Sequence, residues 1–119
     1  MRIKVILKKL EEANEHIPQS REVIYIAGAI SGTNDYMERF KNAENVIRKS
    51  GRVPINPTII SKPLLEVKAN YQQFMSVTNE LLKCCNGIYL LNGWEHSTGA
   101  KEELRYALAN NYNIYTEEK

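Results

Sequence analysis

The stretch Val23-Ile24-Tyr25-Ile26-Ala27 decides the fold, because it is a continuous apolar run that enters a loop of small residues over 28–32. A buried strand that ends in such a loop is typical of the first strand of an open parallel sheet. Apolar residues then recur at helical spacing, and the helix that they predict has N-cap candidates at 33–35 and ends at Gly51. These apolar residues are Met37, Phe40, Ala43, Val46 and Ile47.

Strands and helices continue to alternate beyond this helix. We expect strands at 53–55, 88–91 and 113–116, helices at about 70–84 and 99–110, an irregular connection over 58–68 and a polar loop over 92–98. The first of these helices is predicted to face inward with Phe74, Val77, Leu81 and Leu82, and the second carries Ala100, Leu104, Ala107 and Leu108. The order β-α-β-α-β-α-β predicts an α/β fold with a parallel sheet of four to five strands and helices on both faces.

Residues 1–21 precede this pattern and fit two interpretations. Ile3, Val5 and Leu7 alternate as in a strand, whereas Ile3, Leu7, Leu10 and Ile17 follow the steps of an amphipathic helix. We favour the helix because its pattern covers more residues. The chain is therefore predicted to have a helical extension over 1–21 and one domain over 22–119.

Composition excludes several classes of protein. The chain has 119 residues, 43% hydrophobic and 25% charged, which is the composition of one ordinary globular domain. A formal net charge of +2 is too small to indicate a nucleic acid polymer as partner. No apolar run approaches the ~18 residues of a membrane span, and no signal peptide pattern opens the chain, so we expect a cytoplasmic protein.

Metal and thiol chemistry are not expected either. Cys84 and Cys85 are adjacent, and because a vicinal disulfide is strained, free thiols are the better interpretation. Only two histidines are present, and the spacings typical of zinc sites are missing. The sequence also lacks a dinucleotide fingerprint and a Walker loop, so we predict no cofactor and no metal.

Candidate site residues follow from the fold. Ligands of parallel sheets bind beyond the carboxyl ends of the strands, which here means the loops 28–35, 56–68 and 92–99. The loop with Ser97 and Gly99 opens a helix whose N–H groups could hold an anion such as phosphate, although Ser97 could equally be only a helix cap. Glu102 and Glu103 point about 100° apart on this helix, so that one can face the cleft. Trp94 either stacks on a base or covers the core.

Three of these segments resemble one protein family when taken together. They are 25–32, Asn56-Pro57 and Leu90-Leu91-Asn92-Gly93-Trp94-Glu95-His96-Ser97-Thr98-Gly99-Ala100, followed by Glu103. In order and spacing they resemble the nucleoside 2-deoxyribosyltransferase-like superfamily, and within it an uncharacterised branch rich in phage and prophage proteins. The resemblance covers about residues 22–116. It implies a flavodoxin-like (Rossmann-like) three-layer sandwich that handles nucleosides or nucleotides.

The resemblance also implies roles for particular residues. Glu103 matches the carboxylate that attacks the anomeric carbon and forms a glycosyl-enzyme ester, and Tyr25 matches the tyrosine that orients it. Ser97 stands where nucleotide-hydrolysing relatives place a serine on the 5′-phosphate, which favours a nucleoside 5′-monophosphate. The other expected substrate-binding residues are Gly28, Ala29, Ile30, Asn56, Trp94, Gly99 and Ala100.

The chain departs from the family pattern at positions that matter for the chemistry. The family often has proline at Ala29, and it has aspartates where this chain has Asn86 and Thr78. An acid is needed for the departing base, and Glu80, Glu95 or a neighbouring subunit are the candidates for it.

Three functions therefore stay open: an N-glycosidase or deoxyribosyltransferase, a non-catalytic protein that sequesters a nucleotide-derived ligand, and a structural oligomer with an idle cleft. The resemblance further implies a homo-oligomer, for which we predict the helices around 36–50 and 70–84 as interface elements. The extension over 1–21 is expected to strap onto the same region.

Overall fold

One parallel sheet forms the centre of the molecule. A computed structural model describes residues 22–30 and 32–118, so the predicted helical extension over 1–21 lies outside the described residues. The strands are β1 (Val23–Ala27), β2 (Val53–Ile55), β3 (Gly87–Leu90) and β4 (Asn113–Thr116), in the order β2-β1-β3-β4. All three strand pairs are parallel. The prediction of an α/β fold with a four- to five-stranded parallel sheet is confirmed.

Helices cover both faces of this sheet. They are α1 (Tyr36–Lys49), α2 (Thr58–Glu66), α3 (Tyr71–Lys83) and α4 (Thr98–Ala109). Alternate residues of β1 point to opposite faces, so Ile24 and Ile26 pack with α1 while Tyr25 and Ala27 pack with α3 and α4. β1 is therefore buried on both sides, which is why its sequence is a continuous apolar run.

The edge strand β2 differs from the central strands β1 and β3. Tyr25 of β1 lies beside Ile88 of β3 in the middle of the sheet. β2 forms one edge and contains Pro54, which lies beside Ile24, while the N–H of Val53 donates to the carbonyl of Glu22 at 3.0 Å. The carboxyl ends of β1 and β3 lead into the loops over 28–35 and 91–97, which therefore meet at the same edge of the sheet.

The prediction of an irregular connection over 58–68 is wrong, because Thr58–Glu66 form α2. Asn56 and Pro57 start this helix rather than only ending β2. The Asn56 Oδ1 accepts a hydrogen bond from the N–H of Thr58 at 3.0 Å, and Pro57 has the fixed φ that suits a first turn. Helix propensities do not predict α2, because Pro63 lies inside it and proline removes one N–H donor from a helix interior.

Helix α3 buries Leu82 as predicted, but Met75 and Thr78 face inward where Val77 was expected. Val77 is 38% exposed, whereas Met75, Thr78 and Leu82 are buried. In α4, Leu108 is likewise exposed, and the buried residues are Ala100, Glu103 and Ala107. The predicted loop over 92–98 contains one turn of 3-10 helix, Trp94–His96. The buried faces of α3 and α4 therefore include the polar side chains of Thr78 and Glu103, which a hydrophobic pattern does not reveal.

Candidate functional site

A cavity of about 490 Å³ opens at the carboxyl edge of the sheet. Its walls come from the loop after β1, from the start of α2, and from the first turns of α3 and α4. All three of the loops expected to reach this edge contribute to it. The lining residues are those at 25–26, 28–30, 40, 57, 61, 69–71, 74–75, 78, 96–100 and 103.

Glu103 lies against the buried wall of this cavity. Its side chain is only 6% exposed, and it accepts a hydrogen bond at Oε2 from the hydroxyl of Tyr25, which is itself buried. Burial raises the pKa of Glu103 to about 7, against a smaller lowering by the Tyr25 hydrogen bond, and the charge of Glu102 raises it further. The carboxyl group is therefore held near the point where it gains or loses a proton at neutral pH.

The sequence places Glu103 inward through its neighbours on α4. Ala100, Glu103 and Ala107 follow at helical steps of three and four residues, and all three are buried. The two alanines are small enough for α4 to lie close to the sheet. Tyr25 reaches the same layer because it lies on the face of β1 that is opposite to Ile24 and Ile26. A glutamate within a stripe of small buried residues is the sequence signal for this pair.

Thr78 extends the pair towards α3. It is 1% exposed, its hydroxyl donates to the carbonyl of Met75 at 3.3 Å, and it lines the cavity. Burial and the charge of Glu103 raise the pKa of Tyr25 well above its ordinary value, and a hydrogen bond with Thr78 lowers it in part. Thr78, Tyr25 and Glu103 thus form one group at the cavity wall.

Ser97 caps α4 at the mouth of the same cavity. Its Oγ accepts from the N–H of Ala100 at 3.2 Å, which leaves the hydroxyl proton available to a ligand. The N–H groups of Thr98 and Gly99 have no carbonyl partner within the helix, since they belong to its first turn. A Cβ on Gly99 would lie 3.3 Å from the Sδ of Met75, so glycine lets α3 and α4 approach closely here.

The remaining predicted site residues divide into two groups. Gly28, Ala29, Ile30 and Ala100 line the cavity, whereas Asn56 and Trp94 do not. Asn56 is buried, and its Oδ1 accepts hydrogen bonds from the N–H and the hydroxyl of Thr58. Its Nδ2 donates to Oε1 of Glu44 at 3.4 Å. Trp94 packs partly buried against the core on the α3 and α4 face.

Asn86 lies at the opposite end of the sheet from the cavity. It precedes β3, and its Oδ1 accepts from the N–H of Val23 at 2.7 Å. This hydrogen bond joins the amino ends of β1 and β3. Of the two positions where the resemblance expects aspartate, only Thr78 is therefore at the cavity.

Sequence reasoning missed the contribution of α3 to the cavity. Asn70 and Gln73 form a capping box that fixes the start of this helix, with two side-chain to N–H hydrogen bonds of 2.8 Å. Tyr71, Phe74 and Met75 then line the cavity from this first turn. The capping box was available as a signal in the sequence, but it marks a helix start and does not show which cavity that start reaches.

The charges around the cavity are few. Among the described residues that line it, Glu103 is the only carboxylate, and neither lysine nor arginine is present. Within 22–30 and 32–118 no group of three or more histidine, cysteine, aspartate or glutamate side chains could hold a metal ion. Cys84 and Cys85 are free thiols, and burial raises the pKa of Cys85 to about 12. In the same part of the chain, no helix has the length and apolar character of a membrane span.

Comparison with known families gives one match. Residues 22–116 match the family model described as Domain of unknown function (DUF4406). The chain belongs to this family. No curated protein and no solved structure is significantly similar to the chain. The match covers β1 to β4 and with them every described residue of the cavity.

Proposed function

We propose that the protein cleaves the N-glycosidic bond of a nucleoside 5′-monophosphate, by hydrolysis or by transfer of the sugar, with Glu103 as the nucleophile. The observation that carries this proposal is the buried Glu103 carboxyl group, held by the Tyr25 hydroxyl in the wall of a ligand-sized cavity. An oxocarbenium-like transition state is positive at the anomeric carbon, and a fixed carboxylate both stabilises it and traps the sugar as an ester. The resemblance to nucleoside 2-deoxyribosyltransferase-like proteins supports the same assignment.

The spacing along α4 supports a nucleotide rather than a nucleoside as substrate. Glu103 lies six positions after Ser97, which corresponds to about 9 Å along a helix axis. Phosphate would bind the Ser97 hydroxyl and the N–H groups of Thr98 and Gly99, where the helix dipole favours an anion. The sugar would then extend along α4 towards Glu103. With no lysine or arginine among the described cavity residues, this helix end is the available anion site.

The test is the release of free base. Purified protein is incubated with the four 2′-deoxynucleoside 5′-monophosphates, their ribonucleotide counterparts and the free nucleosides, and the base is measured by chromatography. We expect release from at least one deoxynucleotide, and loss of that release in Glu103→Gln. Glu38→Gln is the matched control, because Glu38 is an exposed carboxylate in the first turn of α1 and does not line the cavity. Turnover that persists in Glu103→Gln would contradict the role of this residue.

A second candidate function is ligand sequestration without catalysis. The observation that favours it is the single carboxylate among the described cavity residues, since glycoside cleavage ordinarily uses two carboxyl groups. Calorimetric binding of a nucleotide by a protein that releases no base from any of the compounds would support this candidate over the enzyme.

We also propose that the protein forms a homo-oligomer. Exposed apolar side chains support this: Ile59 and Val67 on or beside α2, and Tyr71 and Val77 on α3. Tyr71 also lines the cavity, so a partner seated on this surface would lie next to the cavity mouth.

A further inference from the structure

Tyr71 connects the cavity to a second carboxylate. It is the first residue of α3, and its hydroxyl donates to the Oε2 of Glu102 on α4 at 3.4 Å. Glu102 is exposed and does not line the cavity, whereas Tyr71 does. The two adjacent glutamates of α4 therefore each accept a tyrosine hydroxyl, Glu103 from β1 inside the wall and Glu102 from α3 at the rim.

The position of Tyr71 is fixed from two sides. The capping box of Asn70 and Gln73 holds the first turn of α3. On the other side, a Cβ on Gly99 would lie 3.7 Å from the Tyr71 hydroxyl oxygen, so the ring extends over the first turn of α4. Because the hydroxyl proton is donated to Glu102, the lone pairs of the same oxygen are left to accept a proton from a molecule in the cavity.

We propose that Tyr71 and Glu102 form the proton relay that activates water for hydrolysis of the sugar ester on Glu103. This inference rests on the proposed function. Water attacks the anomeric carbon, the bond from that carbon to the Glu103 oxygen breaks, and Glu103 leaves as the free carboxylate. One proton of the water passes to the Tyr71 oxygen while the Tyr71 proton passes to the Glu102 carboxylate, and Glu102 then releases it to solvent.

This relay supplies the second carboxylate that the cavity lacks. Retaining glycosidases need one carboxylate as nucleophile and another group as acid and base, and Glu102 takes the second role from outside the cavity. Burial and the charges of Glu102 and Glu103 raise the pKa of Tyr71. Tyr71 therefore stays protonated at neutral pH and passes a proton on, whereas Glu102 is the group that finally accepts it.

The test separates the two half-reactions. Rapid mixing with 2′-deoxynucleoside 5′-monophosphates measures the first burst of base, which reports ester formation, and the later steady rate, which reports hydrolysis. Mass spectrometry of the protein measures the amount of ester on Glu103. We expect Tyr71→Phe to keep the burst, to slow the steady rate by about 100-fold or more, and to accumulate the ester.

Glu102→Gln is expected to change the steady rate in the same direction. The double variant should be no slower than Tyr71→Phe alone, because both residues act in one relay. In each variant the ratio of sugar transfer to hydrolysis should rise when a free base is added, because transfer does not need an activated water. Tyr112→Phe and Arg105→Gln are the controls; the Tyr112 hydroxyl donates to the carbonyl of Leu82 at 2.9 Å, and Arg105 is an exposed charge of α4.

Two results would overturn the relay while leaving the nucleophile in place. One is a steady rate of Tyr71→Phe equal to that of the natural protein, and the other is an equal loss of burst and steady rate, which indicates that Tyr71 only binds the substrate. If the natural protein forms no ester and releases no base, the proposed function itself fails and the relay fails with it.

Discussion

The buried carboxyl group of Glu103 makes the stability of the protein depend on pH. Burial raises its pKa from 4.5 to about 7, so between these values the folded protein keeps a proton that the unfolded chain has released. The free energy of unfolding must therefore fall as the pH rises through this window. A shift of this size corresponds to roughly 3 kcal/mol at most.

Glu103→Gln is the first prediction at the scale of single residues. Glutamine keeps an acceptor for Tyr25 and carries no proton to lose, so the variant should escape the pH-dependent loss. We expect it to be more stable than the natural protein at pH 8, by up to about 3 kcal/mol, and to match it near pH 4.5. Urea unfolding at both values measures the difference. A constant difference between the two proteins at all pH values would contradict this account.

Tyr25→Phe is the second prediction for the same pair. The Tyr25 hydroxyl stabilises the Glu103 carboxylate and so lowers its pKa; without that hydroxyl the pKa must rise above about 7. We expect the acid limb of the kcat/KM profile for base release to move to higher pH. A carbon NMR titration of Glu103 should follow the same shift without relying on activity. Tyr112→Phe is the control, and an unchanged titration in Tyr25→Phe would exclude this coupling.

At the scale of elements, the start of α4 combines two roles in one hydroxyl. Ser97 accepts from the N–H of Ala100 and can still donate to phosphate. Ser97→Ala should lower stability by about 1 kcal/mol through the lost cap. It should also reduce the binding free energy of a nucleotide by roughly 1.5–3 kcal/mol, which is the contribution of one hydrogen bond to a charged group. Nucleoside binding should stay nearly unchanged.

Ser97→Asp separates these roles. Aspartate caps helices as well as serine does, but its charge repels phosphate. We expect this variant to keep the stability of the natural protein and to lose nucleotide affinity. Calorimetry with a nucleotide and with its nucleoside measures both. Equal weakening of the two ligands would mean that Ser97 contacts the sugar, and an unchanged affinity for both would mean that it serves only as a cap.

The elements also show how far the sequence could lead. The run over 23–27 predicts its strand correctly because a strand buried on both faces needs apolar residues throughout. Helix α2 escaped prediction because Asn56-Pro57 is compatible with a strand end as well as with a helix start, and Pro63 opposes helix formation. The hydrophobic pattern places Val77 inward because Val77 is apolar and Thr78 is polar. In the structure Thr78 faces inward, and Val77, about 100° away around the helix, is exposed.

Contacts between different helices of the candidate site could not be predicted from the sequence, because they depend on how the helices pack. Ser97 and Glu103 share one helix, so their spacing is visible in the chain. Tyr71 and Glu102 meet only because α3 crosses α4 at Gly99, and the crossing depends on packing between elements that are distant in sequence. Asn56, expected to bind substrate, lies instead at the start of α2 with its side chain on Thr58 and Glu44.

At the scale of the whole molecule, the two helices expected to form an interface lie on opposite faces of the sheet. α1 packs with Ile24 and Ile26, and α3 lies on the other face. Among the described residues, the exposed apolar side chains of α2 and α3 outnumber that of α1, which is Met37. We therefore predict that the surface with Val67 and Val77 carries the contact.

Light scattering tests this assembly. At micromolar concentration we expect a mass of at least a dimer, and a shift towards the 13.7 kDa monomer in Val67→Glu combined with Val77→Glu. Met37→Glu is the control on the opposite face and should leave the mass unchanged. A natural protein that is monomeric at this concentration would rule out the oligomer.

Pro54 has a consequence for how the molecules behave when crowded. The N–H of Val53 points to β1, and since successive residues of a strand point to alternate sides, the nitrogen of Pro54 points away from the sheet. Proline has no hydrogen to donate there, and β2 has only three residues. Among the strands of the described part of the chain, β2 is an edge strand, and an incoming strand from another molecule finds no donor at Pro54. This disfavours aggregation by strand addition at β2.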